Sequence, residues 1–240
     1  MLYELRMYHL NEGRAPDAAR RLSLMPPLFR AHGIPDPLAH WIASAGQDLP
    51  LYTWMLRWPD SAARAAAFAS FYGDDRWMDV RDETNAGREM IRHFNIAFLA
   101  ETPAHASARE SLVAEPDESA TRLHELRILR VMPGRQGQAM QTLIDTDMPA
   151  LRRAGARTLG VFDVLSGFAG PSLVQFLSWQ DAGARDDGLK AFEGDSAVTN
   201  ARQRAISDKG NPYYRIDTTW LFQPTAFGVP AKAFDGPALT

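Results

Sequence analysis

Two short stretches carry the side chains best suited to chemistry, "YELRMY" at residues 3–8 and "HELRIL" at 124–129. Each sets Glu-Leu-Arg in an alternating run, so Glu4 and Arg6, like Glu125 and Arg127, share one face of a strand. A carboxylate beside a guanidinium in an apolar surround supports two readings. It is an acid or base next to a cationic anchor for an anionic or carbonyl group, or a buried ion pair fixing how two sheets pack. On the first reading, Glu4 moves a proton and Arg6 orients the ligand.

Other residue types offer less. The 240 residues contain no cysteine, which removes disulfides, thiolate metal sites and a thiol nucleophile together. His9, His32, His40, His93, His105 and His124 show neither His-x-His nor His-x-x-x-His spacing, so no metal is expected. His40 alternates onto the helix side of its strand, where a satisfied core histidine is the ordinary outcome. "PGRQGQ" (133–138) has glycines of the kind that cradle phosphate, yet its counterpart "NEGRAP" lacks the second one, so it reads as a turn. No metal, haem or nucleotide cofactor is expected.

The elements that position these residues occur twice. "YELRMYHLNEGR" (3–14) and "HELRILRVMPGR" (124–135) lie 121 residues apart, as do "TWMLRWPDSAAR" (53–64) and "VQFLSWQDAGAR" (174–185). That offset pairs Trp58 with Trp179 and Arg64 with Arg185. "FYGDD" (71–75) meets "FEGDS" (192–196) in the same way, and "MPPLFRAHG" (25–33) meets "MPALRRAG" (148–155) after a small shift. Agreement in separate places at a near-constant offset is the mark of a duplication.

Each half reads β-α-β-β-α-β. Helices are expected over 16–32 and 136–153, bent or shortened by Pro26 and Pro149 and stopped at Gly33 and Gly155. Strands follow at 38–44 and 51–58, and at 159–165 and 172–179. Asp60 and Asp181 suit the N-cap of the next helix, which Gly73 and Gly194 interrupt. The last strands run over 94–100 and 215–222. The fold class is α+β: two tandem ferredoxin-like (βαββαβ) domains, 1–103 and 122–224, forming an intramolecular α/β-barrel pseudo-dimer. Residues 104–121 read as a linker and 225–240 as a C-terminal tail.

"YELRMY", the helix ending in His-Gly, "W…WPDSAAR" and "DDRWMDV" resemble the NIPSNAP family, closely over 1–103 and more loosely over 122–224. The resemblance implies the dimeric α/β-barrel superfamily, whose members include cofactor-free monooxygenases, cyclases and small-ligand proteins. The family pattern often carries a Glu late in strand two and a His in strand three. Here Ser44 and Leu165 stand at the first position, Trp54 and Gln175 at the second.

Helices on one face of a sheet leave the other face to the barrel interior. Alternation assigns Leu5, Met7, Thr53 and Met55 to the helix side, with Leu126, Ile128, Val174 and Phe176. Glu4, Arg6, Tyr8, Tyr52, Trp54 and Trp58 are then expected inside the barrel, with Glu125, Arg127 and Gln175. With Trp41, they would line a pocket for a flat apolar molecule bearing an anionic or carbonyl group. The alternative is a structural or interaction protein with a filled barrel.

A net charge of −3 and a pI near 6.1 argue against a nucleic-acid partner. No run approaches the roughly 18 apolar residues of a membrane span, and Glu4 and Arg6 interrupt any apolar signal core. A cytoplasmic protein is expected, with self-association of the full chain allowed for.

Overall fold

The computed structural model describes residues 1–113 and 122–224. The first half comprises β1 (Leu2–Leu10), α1 (Ala15–Ala31), β2 (Ala39–Ala45), β3 (Leu51–Trp58), α2 (Ser61–Tyr72), α3 (Asp75–Asn85) and β4 (Ile91–Glu101). α4 (Pro103–Val113) follows. The second half runs through β5 (Leu123–Val131), α5 (Gln136–Thr142), a π-helical segment (Leu143–Asp147), α6 (Met148–Arg153), β6 (Arg157–Ser166) and β7 (Ser172–Trp179). It ends with α7 (Ala182–Gly194), α8 (Ser196–Lys209) and β8 (Tyr214–Pro224).

Local chemistry sets these boundaries. Gly13 and Gly134 both adopt φ 75°, a left-handed turn that sends each first strand into its helix. Asp60 and Asp181 each accept a 2.8 Å bond from the backbone N–H three residues on, capping α2 and α7. Asp74 and Asp195 restart the helix as α3 and α8.

The strand pairs are antiparallel, and the eight strands close into one barrel in the order β1-β3-β2-β8-β5-β7-β6-β4. Within each half the order is β4-β1-β3-β2 or β8-β5-β7-β6, that of a ferredoxin-like sheet. The halves meet where β2 pairs β8 and β4 pairs β6.

The barrel interior is an apolar cluster drawn from both halves, including Leu5, Met7, Trp41, Met55, Leu126, Ile128, Val174 and Phe176. Tyr52, Trp54, Leu56 and Trp58 instead pack outward with Leu22, Met25 and Phe29 of α1 and Phe68 and Phe71 of α2. The expected assignment of faces is therefore inverted. Glu4, Arg6, Tyr8, Tyr52, Trp54 and Trp58 lie under the helices, and Leu5, Met7, Thr53 and Met55 share the opposite, barrel-facing side. The physical reason is that both faces are buried, one by helices and one by the other half. Apolarity on a given face then does not say which cover it has.

Two further expectations change. The start of the presumed linker is helix α4, with Ala104 and Ala108 buried against β6 one turn apart. Thr102 caps it, accepting from the His105 N–H at 3.1 Å and donating to the Val161 carbonyl at 2.7 Å. Residues 114–121 and the tail 225–240 lie outside the described residues. α1 runs unbroken through Pro26, whereas its counterpart is divided by the π-helical turns before Pro149.

The interior cluster needs both halves to be covered. Residues 1–105 expressed alone should dimerise or aggregate, because Leu5, Met7, Trp41 and Met55 would otherwise face water. Size-exclusion chromatography with light scattering checks this; a stable monomer at micromolar concentration contradicts it.

Candidate functional site

The Glu-Leu-Arg motif, a tryptophan at the end of the third strand and an arginine in the next helix form one clamp in each half. Glu4 is fully buried and accepts four hydrogen bonds: from Arg6 Nη1 (2.7 Å), Trp58 Nε1 (2.8 Å), Arg64 Nε (3.0 Å) and Arg64 Nη2 (2.8 Å). Glu125 accepts the corresponding four from Arg127 Nε (2.8 Å), Trp179 Nε1 (2.7 Å), Arg185 Nε (3.0 Å) and Arg185 Nη2 (3.1 Å). A carboxylate offers about four lone-pair sites, so both are saturated. Burial alone would raise the Glu125 pKa; Arg127 and Arg185 outweigh it and hold the carboxyl below its ordinary value.

Beside the first clamp lies a cavity of about 440 Å³ between the sheet and α1–α3. Arg6, Tyr8, Tyr52 and Trp54 line it from the strands, and Phe29, Phe68, Phe71 and Trp77 from the helices. Phe94 and Tyr72, both about half exposed, are part of its lining. Arg6 donates from Nε to the Tyr8 hydroxyl (3.1 Å) and from Nη2 to Tyr72 (3.3 Å), and its guanidinium lies 4.7 Å from the Phe68 ring centre. The Trp54 indole N–H is buried and has no partner among the described residues. Burial raises the Tyr8 pKa and keeps that phenol protonated.

The residues singled out from sequence thus divide among four places. Arg6, Tyr8, Tyr52 and Trp54 meet in the first cavity. Arg127 and Gln175 line a smaller one in the second half. Glu4, Trp58 and Glu125 belong to the clamps. Trp41 lies inside the barrel, stacked on Phe176 at 5.4 Å and donating to His124 Nδ1 at 3.0 Å, on the other side of the sheet from the first cavity. Sequence reasoning missed Arg64 and Arg185 as clamp members, although the 121-residue offset had already matched them.

It also missed a grouping at the barrel end. β1–β4 register sets His9 opposite His93, their rings stack at 4.3 Å, and Asp48 reaches a nitrogen of each at 3.1 Å. His9 Nδ1 lies 2.8 Å from the Asp48 carbonyl, and Arg92 pairs with the Asp48 carboxylate. His9, Asp48 and His93 each place a potential ligand atom within 4.8 Å of the others, a grouping that could hold a metal ion.

A helix-jacketed antiparallel barrel with a cavity beneath the jacket defines the α+β barrel class to which the chain belongs. Residues 3–105 match the NIPSNAP family model and are similar to that family over this stretch. No curated protein matches. A chlorite dismutase mutant from Candidatus Nitrospira defluvii, in complex with cyanide, shares the fold across 98% of this chain and 93% of its own, at 9% identity and TM-score 0.53. An uncharacterised NIPSNAP domain protein from Burkholderia xenovorans is 18% identical, covering 43% of this chain and 96% of its own, with TM-score 0.37. Among the described residues no helix is long and apolar enough to cross a membrane.

The clamps set an acid limit on stability. Glu125 has a folded pKa below its unfolded value, so its contribution is present above the unfolded pKa and lost as pH falls through the folded one. Glu125→Gln should cost about 3 kcal/mol or more at pH 7, because two guanidiniums lose their counter-charge. The loss should shrink below pH ~4, where the unfolded chain's carboxyl takes up its proton while the folded one is still held ionised. Urea denaturation at both pH values measures this; an equal cost at both contradicts it.

Proposed function

We propose that the first cavity binds a small, mainly apolar aromatic molecule carrying a carbonyl or anionic oxygen, without a cofactor. The observation that carries this reading is the unpartnered Trp54 N–H in the wall of an aromatic cavity of about 440 Å³. A buried donor left unsatisfied costs free energy that an acceptor on a ligand recovers. The Tyr8 hydroxyl accepts from Arg6 and keeps its own proton to donate, so two residues lining the aromatic-walled space carry spare donors. Such a site favours a flat ring with one polar edge.

In this reading Glu4 is a positioning group. Its lone pairs are engaged by Arg6, Trp58 and Arg64, so it orients Arg6 and is withdrawn from proton transfer. The closed barrel and repeated strand order support two tandem ferredoxin-like units, about 1–103 and 122–224, packed as a pseudo-dimer. The absence of cysteine fits a cytoplasmic setting.

The test is a tryptophan-fluorescence titration with 2-acetonaphthone, a neutral flat ketone. Binding on the order of 10–100 μM is expected, reported by Trp77 in the cavity wall. Trp54→Phe, which keeps the ring and removes the donor, should weaken it about tenfold without lowering Tm. An unquenched wild-type protein, or undiminished affinity in Trp54→Phe, overturns the reading.

A further inference from the structure

The second half repeats the clamp but not its surroundings. Each clamp holds two arginines against one glutamate and so carries a surplus positive charge. In the first half that surplus is absorbed by the Tyr8 and Tyr72 hydroxyls and by the faces of Trp54 and Phe68. At the 121-residue offset these four become Leu129, Glu193, Gln175 and Leu189. Both ring faces and both phenols are gone, and Glu193 is exposed and makes no ion pair with Arg127 among the described residues. Arg127, only 3% exposed, turns its Nε to Glu125, and neither of its Nη nitrogens makes a hydrogen bond among the described residues.

These nitrogens border a cavity of about 290 Å³ under α5, the π-helical segment and α8. Gln175, 1% exposed, lines the same cavity, and its Nε2 has no partner among the described residues. Leu129, Leu143, Leu151 and Phe192 make the remaining wall apolar. Asp147 projects from the π-helical segment, a geometry frequently found at functional sites, and accepts from the Tyr214 hydroxyl. A buried cation with unused donors, an amide with a free N–H and an apolar wall together call for an anion on an apolar body.

We propose that this cavity is a binding site for a small organic carboxylate with an apolar body, its oxygens held by the Arg127 guanidinium and the Gln175 amide. Asp147 tunes that site. Burial raises its pKa to about 6 against the lowering effects of Arg127 and Arg202, with Asp195 adding to the rise. Tyr214, Arg202 and Arg127 face it from β8, α8 and β5, and Asp195 stands at the start of α8. Ionised Asp147 repels the ligand, so affinity should rise as pH falls through about 6.

Isothermal titration of the full chain with benzoate tests this, with benzamide as the uncharged control. Benzoate should bind with Kd on the order of 1 mM or tighter, and benzamide at least about tenfold more weakly. Gln175→Leu loses no internal hydrogen bond from Nε2, so it should fold, and it should weaken benzoate about tenfold. Asp147→Asn should tighten benzoate at pH ~7.5 and abolish the pH dependence. Equal affinity for benzoate and benzamide, or unchanged benzoate affinity in Gln175→Leu, overturns the proposal.

Discussion

The structure depends on a carboxylate that is buried and fully satisfied, once in each half. Glu4 and Glu125 each receive the indole N–H of the third strand's last residue and the guanidinium of an arginine in the first turn of the following helix. That single group fastens first strand, third strand and helix together. An isolated buried charge would be prohibitive; four donors make it a specific joint instead. The helices are thereby held over the sheet at a fixed place, and the space beneath them is fixed as well.

From the same joint the two cavities take opposite characters. Arg6 spends its remaining donors on phenols and its faces on aromatic rings, leaving an apolar space with spare donors on Trp54 and Tyr8. Arg127 has lost those neighbours and presents its charge to a smaller space shared with Gln175 and Asp147. The two halves share the joint that holds the fold and differ in what surrounds it. The surroundings of each cavity can therefore change without disturbing the clamp.

Much of this was legible in the sequence, and the rest fails for identifiable reasons. The 121-residue offset located every clamp member, and the β-α-β-β-α-β order follows from alternation, Gly13 and Gly134, and the Asp60 and Asp181 caps. Alternation could not say which face of β1 and β3 meets the helices, since each face is covered. A signal existed: a buried tryptophan N–H and an arginine six residues later both need an acceptor, and only the Glu face of β1 supplies one. Thr102-Pro103 followed by alanines one turn apart similarly marked α4. The change of offset from 121 at Gly13 to 123 at Met25 (148 − 25) placed extra residues in the second half's helix, which the π-helical segment accommodates. His9, Asp48 and His93 are 39 and 45 residues apart (48 − 9 and 93 − 48), and only strand register unites them.

The central claim is that ligands enter between the helices and the outer face of the sheet, while Trp41, Phe162, Phe176 and their neighbours fill the middle of the barrel. A crystal structure of the full chain soaked with 2-acetonaphthone addresses it most directly. The account predicts the naphthyl ring against Phe29 and Trp54, with its carbonyl oxygen within hydrogen-bond distance of Trp54 Nε1 or the Tyr8 hydroxyl. Ligand density inside the barrel, against Trp41 and Phe176, would contradict it.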